Sequence, residues 1–143
     1  MNIAIGADHA GYELKKEIIN FLQEKGHNVE DFGCYSEESI DYPDYAHPVC
    51  ESIEKESNKF GVLICGSGNG ISMAANKHSS IRAALSWNPE IAELGRLHNN
   101  ANIVSIPARF VSRETALKIV EVFFSTDFEA GRHQRRVDKI ACT

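Results

Sequence analysis

Short apolar runs alternate with helical patterns along the whole chain. "NIAIG" near the start reads as a strand, and "GYELKKEIINFLQEKG" follows as an amphipathic helix. In it Leu14, Ile18, Phe21 and Leu22 recur at helical spacing, and Gly26 stands where a helix C-cap is expected. "HNVEDFG" reads as a second strand and "YSEESIDYP" as a polar loop. Pro43 suits the first turn of a helix reaching about Asn58. "FGVLIC" is the clearest buried strand, with a helix after it through "GISMAANK". Then come a strand in "IRAALS", a helix in "NPEIAELGRLHN", a strand in "NIVSIP" and a helix in "SRETALKIVEVFFS". The tail "EAGRHQRRVDKIACT" reads as a basic helix over about 131–143.

This alternation predicts an α/β fold, a doubly wound, Rossmann-like α/β/α sandwich around a five-stranded parallel sheet. The 143 residues fit a single domain with a core that needs no disulfide or metal. Ligands of such folds bind beyond the C-terminal ends of the strands. That edge carries Gly6-Ala7-Asp8-His9 after the first strand and Cys65 to Gly70 after the third.

Charge and cysteine usage narrow the partners. A formal net charge of -5 disfavours nucleic acid. There is no basic, apolar leader at the N-terminus and no run of about 18 apolar residues, so neither export nor a membrane is expected, and the location is read as cytoplasmic. Cys34, Cys50, Cys65 and Cys142 are scattered without a Cys-x-x-Cys pair, which suits free thiols better than zinc or a redox couple. His27, His47 and His78 read as ordinary surface or turn residues, and no His-Glu-x-x-His occurs. No metal and no organic cofactor is expected.

The stretch "ICGSGNG" carries the main candidate chemistry. A dinucleotide loop needs glycine where Ile71 stands, and a P-loop needs Gly-Lys-Ser/Thr. A nucleophile elbow around Ser67 needs glycine at the positions of Cys65 and Asn69. A cysteine phosphatase loop needs an arginine where Ile71 stands. What remains is a glycine-rich loop opening a helix, whose free backbone N–H groups suit an oxyanion and favour a thiolate at Cys65. The plainer alternative is that Cys65 is a small buried hydrophobe.

Other polar residues have plain readings too. Asp8-His9 can be a helix cap, and His98-Asn99 can complement a helix dipole. Arg132 and Arg136 lie four apart on one helical face and suit a phosphate, with Arg109 a third cation, or they form a solvated basic face. Taken together, a base, an oxyanion cradle, a histidine, an acid and an arginine cluster are enough to move a proton beside the carbonyl of a phosphorylated substrate.

At these residues the chain closely resembles the type B ribose-5-phosphate isomerases, of the family shared with galactose-6-phosphate isomerase subunits. The motifs are "GADHAGYELK", "DYPDYA", "ICGSGNGISMAANK", "IRAAL", "HNNANIV" and "GRHQRRV". The resemblance implies interconversion of D-ribose 5-phosphate and D-ribulose 5-phosphate in the pentose phosphate pathway. The alternative is a six-carbon sugar phosphate such as allose 6-phosphate or galactose 6-phosphate. It also implies roles. Cys65 would be the base, His98 the ring-opening acid, and Asp8 its helper at the ring oxygen and hydroxyls. Ser67 with Gly66, Gly68, Asn69 and Gly70 would hold the enediolate. Asn99 and Tyr42 would lie near the sugar, and His9, Arg109, Arg132 and Arg136 at the phosphate. Finally, it implies a homodimer with active sites shared between chains, pairing into tetramers being left open.

Overall fold

The computed structural model describes residues 1–142. Five strands form one parallel sheet: β1 (Asn2–Ala7), β2 (Asn28–Asp31), β3 (Phe60–Cys65), β4 (Ala83–Leu85) and β5 (Ile103–Pro107), in the order β2-β1-β3-β5-β4. The helices are α1 (Tyr12–Glu24), α2 (Pro43–Glu54), α3 (Asn69–Ala75), α4 (Pro89–Asn99), α5 (Arg113–Ser125) and α6 (Arg132–Val137), with a 3₁₀ turn at His9–Gly11. None is long and apolar enough to cross a membrane.

Both faces of the central strands are apolar because both are covered. Ile3, Ile5, Val62, Ile64, Val104 and Ile106 pack against α1, α4 and α5. Ala4, Leu63, Cys65 and Ile103 face α2 and α3. Successive strand residues point to opposite faces, so β1, β3 and β5 read as continuous hydrophobic runs rather than alternating ones.

The predicted strands and helices are all present, but several ends move. α2 stops at Glu54, short of Asn58, because Glu56 is left-handed (φ 61) and the N–H groups of Ser57 and Asn58 turn back onto the Ser52 carbonyl. β4 keeps only three residues of "IRAALS", since Ile81 closes a turn onto His78. α3 ends at Ala75 rather than Lys77. The tail helix is also shorter than expected: α6 ends at Val137 and is followed by turns. Thr143, the end of the predicted span, lies outside the described residues. Gly26 does close α1, with His27 N–H donating to Leu22 O and Gly26 N–H to Gln23 O.

One buried cation holds the end of α4. Arg96 donates from Nη1 to the carbonyl of Ala101 (2.6 Å) and to Asn100 Oδ1 (3.0 Å), and from Nε to the carbonyl of Thr126 (3.1 Å). Its guanidinium also lies 4.9 Å from the Phe60 ring centre and 5.8 Å from that of Phe123. Replacing Arg96 with leucine strands these carbonyls, so we expect a loss of about 3 kcal/mol, within the range for charge-assisted hydrogen bonds. Urea unfolding measures it; a loss within error of zero would show that the clamp is not needed.

Candidate active site

The strand order places a topological switch between β1 and β3. After β1 the chain crosses to β2 on one side, and after β3 it leaves for the other. The crevice between their C-terminal ends is where ligands of open α/β sheets bind. Asp8 and Cys65 flank it, and the Asp8 N–H donates to the Ile64 carbonyl (3.0 Å). Gly11 packs directly on β3, where a Cβ on it would lie 2.6 Å from Ile64 Cγ2.

Cys65 is buried at the tip of β3. Gly68 sits in the left-handed region (φ 77), with Leu85 and Pro107 too close for a side chain. That turn aims the Gly68 N–H at Cys65 Sγ, 3.1 Å away. The hydrogen bond favours negative charge on sulfur. The Asn69 N–H donates to the exposed Ser67 Oγ (3.2 Å), so the hydroxyl stands beside the start of α3.

The neighbouring loops bring in further predicted residues. Asp8 caps the 3₁₀ turn: its Oδ1 accepts from the N–H groups of Ala10 (2.9 Å) and Gly11 (3.3 Å), while Oδ2 has no hydrogen bond among the described residues. The plain reading of Asp8 as a cap is therefore true of one oxygen. His9 Nδ1 accepts from the Ile40 N–H (3.3 Å), tying down the loop before α2. The Tyr42 ring lies against Gly70. Arg109 N–H donates to the Gly66 carbonyl (3.0 Å), and its guanidinium lies over Gly66. Asp8, His9, Tyr42, Cys65 to Gly70 and Arg109 thus share one edge.

His98, Asn99, Arg132 and Arg136 do not join them. α4 carries the chain back to the start of β5, so its C-terminal turn lies at the opposite edge of the sheet. The Gly61 N–H donates to the Asn102 carbonyl, level with the beginning of β3. Cys65 lies four pairings further along, about 13 Å at the usual strand rise. At the lower edge α6 docks on α4, anchored by the Glu129 N–H to the Leu97 carbonyl (3.1 Å).

This docking assembles a cluster that sequence spacing does not reveal. The His98 and His133 rings stack, with centroids 4.2 Å apart and planes 15° apart. His133 is buried. Burial holds its imidazole below the ordinary histidine range, and His98, Arg132 and Arg136 add to the effect, with Glu129 opposing. His98, Glu129 and His133 bring their ligand-type atoms within 4.8 Å of one another. An ion bound by two imidazoles must lie close to both ring planes, and planes this nearly parallel do not meet between the rings. As they stand, these side chains are a stack rather than a cation cage.

Two further histidines prove to be connected. His47 Nδ1 lies 2.8 Å from His78 Nε2, and His78 Nδ1 lies 3.0 Å from Glu54 Oε1, linking α2 to the turn after α3. An apolar shelf adjoins the glycine loop: Trp87 and Phe110 are exposed, over half-buried Leu85 and buried Pro107, beside Ser67 and Asn69.

A model of the ribose/galactose isomerase family matches residues 3–140. Ribose-5-phosphate isomerase B of Escherichia coli is 44% identical over 96% of this chain and 93% of that protein. The crystal structure of a Thermotoga maritima ribose 5-phosphate isomerase is 52% identical, with TM-score 0.97, over 99% of this chain and 98% of the other. The Mycoplasma genitalium ribose-5-phosphate isomerase B, solved with ribulose 5-phosphate bound, is 46% identical with TM-score 0.94, over 97% of this chain and 93% of that one. The chain belongs to the ribose/galactose isomerase family.

Thiol reactivity tests the environment of Cys65 directly. Burial pushes Cys50 up to about 12 and raises Cys34 as well, so both stay protonated and inert near neutrality. In a Cys142→Ser background, iodoacetamide at pH 7.5 is expected to label Cys65 and spare the other two. Peptide mass mapping reads the site of labelling, and modification at Cys34 or Cys50 first would contradict this picture.

Proposed function

We propose that this protein interconverts D-ribose 5-phosphate and D-ribulose 5-phosphate through a cis-enediolate. The observation that carries the reading is Cys65 at the switch-point crevice, with the Gly68 N–H on its sulfur, in a chain of this family. The ligand of the Mycoplasma genitalium relative points to the five-carbon substrate.

Ribose 5-phosphate is a furanose, and only its open chain has a carbonyl to enolise. His98 gives a proton to the ring oxygen as the C1–O bond breaks. The anomeric hydroxyl gives its proton to Asp8, and an aldehyde forms at C1. Cys65, as thiolate, then takes the proton from C2. The pair of electrons moves into the C1–C2 bond, and negative charge gathers on O1, within reach of Ser67 and the loop amides. The thiol returns its proton to C1 while the hydroxyl proton passes from O2 to O1, which leaves the ketose. Tyr42 and Asn99 line the sugar. His9, Arg109, Arg132 and Arg136 hold the phosphate by charge-assisted hydrogen bonds.

Cys65 and His98 lie at opposite edges of one sheet, so a site using both needs two chains. We therefore read the protein as a homodimer in which His98, Asn99, Arg132 and Arg136 reach the neighbour's crevice. The shelf of Trp87 (53% exposed) and Phe110 (75% exposed) beside the glycine loop supports this, since apolar side chains grouped at the rim of a site mark an interaction surface.

A coupled assay of the single purified chain with ribose 5-phosphate, against allose 6-phosphate and galactose 6-phosphate, tests the substrate. The five-carbon sugar should turn over fastest; inactivity of the chain alone would point to a heteromer. Cys65→Ala should fold, retain sugar-phosphate binding and lose roughly two to four orders of magnitude in turnover, the usual contribution of a general base. Near-normal turnover would remove Cys65 from the mechanism.

Mixed dimers test the shared site. Cys65→Ala and His98→Ala are each nearly inactive. Co-refolded in equal amounts, they give about half mixed dimers, each with one intact site, and so about a quarter of wild-type activity. No recovery in dimers whose exchange is verified by mass would rule the arrangement out.

A further inference from the structure

His133 has no part in the chemistry above, yet it is one of the few buried polar side chains of the molecule. It lies face to face with His98, on a helix of only six residues held against the end of α4. We propose that His133 is a positioning residue that acts through His98, fixing the plane and direction of its imidazole. The proposal rests on the reading of His98 as the ring-opening acid.

The argument begins with the charges around the stack. Arg132 and Arg136 approach from α6, and Glu129 from the segment before it. On α4 itself Arg96 has its guanidinium turned inward onto the Ala101 and Thr126 carbonyls, with Asp127 acting on it. Two imidazolium rings 4.2 Å apart, beside two arginines and against one glutamate, would be strongly unfavourable. Protonation of both rings at once is therefore disfavoured. His133 is the more buried ring and the one held low, so it stays neutral beside the half-buried His98.

Orientation follows from the same contact. A histidine in the last turn of a helix rotates about two side-chain bonds, and its N–H can point in many directions. Stacking at 15° removes most of that freedom. A general acid must meet its oxygen within hydrogen-bond reach and in line.

The test exploits a difference between the two sugars. Ribulose 5-phosphate has its terminal oxygen esterified, so it stays open-chain. Its C1 hydrogens can exchange with solvent deuterium through Cys65 alone, without ring opening. His133→Ala should slow conversion of ribose 5-phosphate by about tenfold or more, a part of what a general acid supplies, with KM nearly unchanged. It should leave deuterium uptake into ribulose 5-phosphate within about threefold of wild type, because enolisation does not use His98. His133→Phe, which keeps a ring in the stack, should restore most of the turnover. A parallel fall in isomerisation and exchange, failure of the phenylalanine variant, or no effect of the alanine variant would each overturn the proposal.

Histidine-selective NMR of the ligand-free protein gives a reading that does not depend on the substrate. His133 should protonate only below the ordinary histidine range, since its ring is buried against His98 beside Arg132 and Arg136. A freely titrating His133 would mean that the rings are not stacked in solution and would also overturn the proposal. Lack of turnover of ribose 5-phosphate by the wild type would instead count against the isomerase reading.

Discussion

The common direction of the five strands governs everything else in this molecule. Each helix must carry the chain back to the starting edge of the sheet before the next strand can begin. Loops that follow strands therefore collect at one edge, and the ends of the returning helices collect at the other. Asp8, Cys65 and Arg109 belong to the first group, while His98 and Asn99 belong to the second. No local change of loop conformation brings the two groups together. The polarity of the sheet alone divides the candidate residues into two half-sites.

Each half-site has its own means of control. At the upper edge the control is backbone: a left-handed Gly68 turns an N–H onto the sulfur, and Asp8 is fixed by the turn it caps. At the lower edge the control is electrostatic and packing-based. Arg96 is buried among carbonyls and aromatic rings, Arg132 and Arg136 stand on the neighbouring α6, and the His98 and His133 imidazoles are stacked. A chain of formal net charge -5 thus keeps a concentrated cationic region where a phosphate suits it.

Much of this could be read from the sequence, and the reasons for the rest are physical. The apolar runs of β1, β3 and β5 were legible because those strands are buried on both faces. The β4 edge strand was overextended, since an apolar Ile81 fills a turn as readily as a strand. The end of α2 was misplaced because a glutamate at φ 61 carries no glycine signal. The loop residues from Cys65 to Gly70 stood out through their glycines. The roles expected of His98 and Tyr42 rest on resemblance, whereas the arginine pair is legible from its helical spacing, and the placement of all of them needs the topology. The His98–His133 stack was illegible, because the two residues lie 35 positions apart and meet only through the docking of α6 on α4. The Glu54–His78–His47 chain was missed for the same reason.

The contact of Gly11 with Ile64 acts as a gauge block between the two walls of the crevice. One wall carries Asp8, whose carboxylate is bonded to the Gly11 N–H, and the other ends in Cys65. A methyl group at Gly11 would sit 2.6 Å from Ile64 Cγ2 and act as a wedge. The core could absorb such a wedge by a small shift of the 3₁₀ turn. The reaction has far less tolerance, since a misplacement of about 1 Å can cost about a hundredfold in rate. The spacing between the Asp8 carboxylate and the Cys65 thiol is thus set by the thinnest residue available, at a position that bears no side chain of its own.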